Sequence, residues 1–64
     1  MIKLTRLNGS VFVLNCELIE IIEATPDTVI STIHGKKFVC AESVDEVINK
    51  VIEYKHNIQY LNRI

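Results

Sequence analysis

Along the first two thirds of the chain, apolar and polar positions alternate over short runs; in the last third they follow a longer period. The short runs are rich in Val, Ile, Thr and Phe and are cut by Asn8-Gly9, Pro26-Asp27 and His34-Gly35. β-Branched and aromatic runs between turn residues are the pattern of consecutive antiparallel hairpins. They predict strands over about 2–6, 10–14, 18–24, 28–33 and 36–40, with Asn15-Cys16-Glu17 as the corner into the third. Pro26 presets φ for the first central turn position and Asp27 suits the next.

The register of the first hairpin follows from the apolar pattern. With Asn8-Gly9 alone as the loop, Thr5 faces Phe12 and Lys3 faces Leu14. With Leu7-Asn8-Gly9 as the loop and Gly9 left-handed in a bulge, Leu4 faces Phe12 and Ile2 faces Leu14. A one-residue slip reverses every side chain, so the bulged three-residue loop is expected. The same geometry at His34-Gly35 pairs Ile30 with Phe38.

From Val44 the apolar positions are Val47, Ile48, Val51, Ile52, Tyr54 and Ile58, a broad helical stripe. Ser43 and Glu46 have the spacing of a capping box, and Asp45 and Glu46 suit the positive end of the helix dipole. The helix is expected over about 44–59, fraying toward the C-terminus. The whole is an α+β fold: a small antiparallel five-stranded β-meander or half-barrel followed by one C-terminal α-helix, in a single domain over 1–64.

In the third strand Leu18 and Ile22 point one way while Ile19 and Ile21 point the other; in the fourth, Val29 and Ile33 oppose Ile30. One helix covers one face, so the second must close as a small barrel or meet another chain. A homo-oligomer through Ile19, Ile21, Val29 and Ile33 is the expectation.

Composition then narrows the function. The 64 residues are 48% hydrophobic, lack Trp, and carry a formal net charge of -1, so the core is mostly aliphatic. No basic patch of the kind that neutralises phosphates is evident, and Lys36-Lys37 is the only adjacent cationic pair, so no nucleic acid is expected as a partner. A start without an apolar leader region and no run near the ~20 apolar residues of a membrane helix point to a cytoplasmic protein without a membrane span. Cys16 and Cys40 are spaced for no zinc motif and are expected to be reduced, buried apolar groups. His34 falls in a turn and His56 near a helix end; Glu17, Glu20 and Glu23 alternate faces of a strand. No catalytic, cofactor-binding or metal-ligating set emerges, so the chain is expected not to be an enzyme and to need no cofactor.

Met1 to Gly9, together with Phe12, Leu14-Asn15, Leu18-Ile19-Glu20, Ile22-Glu23, Pro26-Asp27-Thr28, Gly35-Lys36-Lys37 and Glu42-Ser43-Val44, resembles the FlbD/SwrD family of small bacterial flagellar proteins. The likeness covers about residues 1–54; Cys40 and Ala41 stand where the family more often has an aliphatic and a charged residue. The resemblance implies a cytoplasmic accessory, peripheral to the flagellar motor, that contacts stator proteins, raises motor power and supports swarming. It supplies no catalytic residues. Asn8, Gly9, Pro26, Asp27 and Gly35 have turn roles, and Ser43 and Glu46 cap roles. Arg6, Asn15, Glu20, Glu23, Lys36 and Lys37 have no such plain structural reason and are the partner-surface candidates. A small nucleic-acid-binding regulator and a structural homo-oligomer without a dedicated partner are the alternatives.

Overall fold

A computed structural model describes the backbone of residues 1–62 and the side chains of residues 1–58. Strands β1 (Ile2–Thr5) and β2 (Val11–Leu14) form an antiparallel hairpin in which Leu4 faces Phe12 and Ile2 faces Leu14. The loop is the bulged one: Arg6 N–H donates to the Ser10 carbonyl at 2.8 Å, Gly9 N–H donates to the Arg6 carbonyl at 2.9 Å, and Gly9 has φ +91°. Asn8 holds the turn by accepting from both the backbone N–H and the hydroxyl of Ser10 at Oδ1. The apolar pattern thus decides the register, and Ile2, Leu4 and Leu14 are buried as a result.

Asn15 ends this hairpin. Its side chain accepts from the Glu17 N–H and caps a single 3₁₀ turn, Cys16–Leu18, that redirects the chain. Strands β3 (Ile19–Ala24), β4 (Thr28–Thr32) and β5 (Lys37–Cys40) follow as an antiparallel sheet in the order β3-β4-β5. The β4–β5 loop repeats the first: Thr32 N–H donates to the Lys36 carbonyl, Gly35 N–H donates to the Thr32 carbonyl, Gly35 has φ +81°, and Ile30 faces Phe38. Pro26 and Asp27 lie in the bend between β3 and β4, and the Thr25–Pro26 peptide is cis.

One strand departs from simple alternation. Ile19 pairs with Thr32 and Ile21 with Ser31, so the register shifts between them. A bulge adds one residue and turns the side chains after it to the opposite face. Ile19 therefore joins Ile22 against the core, and Ile21 alone of the three is exposed. This corrects the placement of Ile19 on the second face.

The strands lie in two sheets, of two and three strands, rather than in one meander, and they do not close as a barrel. The sheets meet where β5 ends beside β1: Ala41 N–H donates to the Thr5 carbonyl at 2.7 Å. Across the core Phe12 and Phe38 stack, with ring centroids 5.8 Å apart. Helix α1 (Val44–Asn62) lies on β1 and β3 and extends past the expected end near Gln59; any fraying beyond Asn62 falls outside the described residues. At its start Ser43 Oγ accepts from Glu46 N–H, and Glu46 Oε1 accepts from Ser43 N–H. The buried core is Ile2, Leu4, Leu14, Cys16, Ile30, Cys40 and Val47, with Phe12, Ile19, Ile22, Phe38, Val51 and Tyr54 packed around it.

Candidate protein-contact surfaces

The three-stranded sheet buries one face and presents the other. On the outer face Val29 sits opposite Val39, flanked by Glu23, while Ile21, Ser31 and Lys37 form the adjacent cross-strand row. Ile21 is 44% exposed and Val39 40%, and Ile33 stands exposed where β4 enters its turn. The result is an aliphatic strip bordered by one acidic and one basic side chain. Exposed aliphatic strips rimmed by charge are typical of contact surfaces between proteins.

The six polar candidates separate on the structure. Glu23 and Lys37 reach this outer face through their pairing positions. Glu20 is exposed at the bulge and Lys36 at the turn. Arg6 is occupied within the fold. Its guanidinium lies 4.6 Å above the Phe12 ring, a cation–π contact that shields the edge of the core. Asn15 likewise serves as the cap of the 3₁₀ turn. Neither has a place on the aliphatic strip.

Sequence reasoning passed over Glu42, which is the junction between the two sheets. Its Oε1 accepts from Thr5 N–H and its Oε2 from the Thr5 hydroxyl, both at 2.9 Å. The carboxylate thus stands in for a strand at the open edge of β1, next to the Ala41–Thr5 bond. Burial pushes this carboxyl upward, but hydrogen bonds from Thr5, its own backbone N–H and the Lys50 charge outweigh that and hold it below the usual glutamate range. In the sequence it stands before the capping box and in the Glu42-Ser43-Val44 motif of the family resemblance, neither of which points to Thr5. Beside it, burial and then the charge of Glu42 push the Cys40 thiol up, only partly offset by the Glu42 backbone; the thiol donates to the Glu42 carbonyl at 3.8 Å. Such a thiol is a packing group rather than a nucleophile.

Val11 and Val13 were also missed; both are exposed on the outer side of the first hairpin. Ile48 and Ile52 belong to the expected helical stripe, yet they are 41% and 60% exposed. The inward stripe is narrower, Val44, Val47, Val51, Tyr54 and Ile58, because the small sheet offers width for one row of helix side chains. Ile48 and Ile52 instead line a groove of about 250 Å³ with Cys16, Ile19, Ile22, Val51 and Lys55. Among the described residues, no group of three or more His, Cys, Asp or Glu is arranged to hold a metal ion.

These features define a class: a small α+β domain whose exposed faces are aliphatic. No helix among the described residues is long and apolar enough to cross a membrane. The chain belongs to the FlbD family, described as flagellar and swarming motility proteins, whose model matches residues 1–59. It is therefore a motility-related protein of a flagellar family. No curated protein and no solved structure matches the chain significantly.

Proposed function

We propose that this protein is a cytoplasmic accessory at the periphery of the flagellar motor, that it acts by protein–protein contact to support the stator units and motor power in swimming and swarming, and that it performs no reaction of its own. Family membership supports the setting. The observation that carries the mechanism is the outer face of β3-β4-β5. There Ile21, Val29 and Val39 form an aliphatic strip between Glu23 and Lys37. Burying one such side chain fully is worth about 1.5–3 kcal/mol, so a few of them suffice for a specific contact. We assign this face to a motor protein; Ile33 extends it at one end.

The test is swimming speed under load. A strain lacking the gene is expected to swim nearly normally in dilute medium and to lose speed disproportionately as viscosity rises. Unaltered torque at every load would count against the assignment to the stator. Co-purification of stator proteins with the intact chain, lost on Ile21→Glu, is the biochemical counterpart.

A further inference from the structure

The groove beside α1 carries a charge order that matches itself. Asp45, Ile48, Ile52 and Lys55 repeat at alternating intervals of three and four residues, the spacing of a heptad seam. All four are exposed, so the seam runs along the flank of α1 outside the buried stripe. It begins with an acid, ends with a base, and holds two isoleucines between them.

From this we infer that the occupant of the groove is a second copy of this chain, with the two α1 helices packed antiparallel about a twofold axis. In that arrangement Ile48 of one copy faces Ile52 of the partner, and Asp45 faces Lys55, with each pair occurring twice. An antiparallel seam brings the two alternate heptad positions into the same layer, so these four residues form four consistent layers. A parallel pair would instead set Asp45 against Asp45 and Lys55 against Lys55, a like-charge penalty at each end of the seam.

The surroundings agree with this occupant. Ile19 and Ile22 of β3 and Val51 of α1 line the floor onto which the partner's isoleucines would settle. Lys55 lies 3.7 Å from Glu17 of its own chain, with both side chains more than half exposed. An exposed pair of this kind binds weakly and leaves Lys55 free to take a second carboxylate. The residues flanking the seam on its outer side, Asn49 and His56, bring no acid or strong base against the partner. The outer sheet face has no comparable self-matching order, so self-association is placed here rather than through Ile21, Val29 and Ile33.

Sedimentation equilibrium of the intact chain over a wide concentration range tests the inference. The wild-type protein is expected to dimerise reversibly. Ile52→Glu should remain monomeric at every concentration, with its circular dichroism and melting curve showing that it is folded. Lys55→Glu and Asp45→Lys should each weaken dimerisation about tenfold or more, because the twofold axis counts each reversed pair twice. The double variant Asp45→Lys with Lys55→Glu should recover most of the lost affinity. That recovery distinguishes direct pairing from a general loss of helix stability. A wild-type chain that is monomeric throughout, a dimer indifferent to Ile52→Glu, or a double variant no better than its singles would each overturn the inference. All three readouts are independent of motility, so they can fail while the motor assignment stands.

Discussion

The residues that hold this domain together are few, and several act through backbone groups. Gly9 has positive φ, and a Cβ placed there would meet nothing within 4 Å. The barrier to substitution is therefore conformational rather than steric crowding. Gly9→Val is expected to cost about 1–3 kcal/mol, the usual range for a non-glycine side chain held left-handed. Chemical denaturation of the two proteins would show it as a lower midpoint with an unchanged slope. Glu42 offers a sharper case. It satisfies two donors of Thr5 at once, whereas glutamine brings a single carbonyl oxygen. Glu42→Gln is expected to cost about 1.5–3 kcal/mol at neutral pH, the range for a hydrogen bond to a charged acceptor.

The sign of the pH dependence follows from the same bonds. The folded Glu42 carboxyl lies below its unfolded value of 4.5, so the folded state favours the charged form. Its contribution is full above that value and is lost as pH falls through the lower, folded one. The stability gap between wild type and Glu42→Gln should thus be constant near neutrality and narrow in acid. Denaturation midpoints at a series of pH values would check this; a gap that stays constant in acid would show that the Thr5 bonds do not depend on the charge.

At the level of elements, local chemistry explains most boundaries. Ser43 and Glu46 exchange hydrogen bonds at the start of α1, and Ser43→Ala is expected to cost about 1 kcal/mol, read as a lower melting temperature. Both glycine hairpins were legible in the sequence, because a slip of either would expose Leu4 or Ile30 in place of polar neighbours. The capping box was legible for a similar reason: its partners are three residues apart.

What was not legible depends on contacts between distant segments. The register shift between Ile19 and Ile21 leaves no mark in a run as uniformly apolar as Leu18 to Ile22, so simple alternation puts Ile19 on the wrong face. The junction between the two sheets includes Glu42 reaching Thr5, a pairing across most of the chain that no local pattern announces. Helix periodicity marked Ile48 and Ile52 as apolar but could not say how much of the stripe the small sheet would cover. Arg6 and Asn15 looked available for a partner because their own partners, Phe12 and the Glu17 N–H, depend on the folded geometry.

For the whole molecule, the balance is between a small interior and a large aliphatic exterior. Among the described residues, seven apolar side chains make the buried core, while Ile21, Ile33, Val39, Ile48 and Ile52 remain exposed. A domain of this size has little stability to spare, and exposing so much aliphatic surface is costly in solubility unless other chains cover it. The two main patches lie on different elements and differ in character. The sheet strip is bordered by Glu23 and Lys37, and the helix seam is ordered for a twofold. The two proposals therefore do not compete for the same surface.

Ile21 is where the central claim is most exposed to test, since its side chain points outward and takes no part in the core. A strain whose own gene carries Ile21→Glu should make a folded protein at the normal level. Its swimming speed under high viscous load should fall toward that of the deletion strain. Full speed at high load, with the variant protein folded and present, would contradict a role for the outer sheet face in driving the motor.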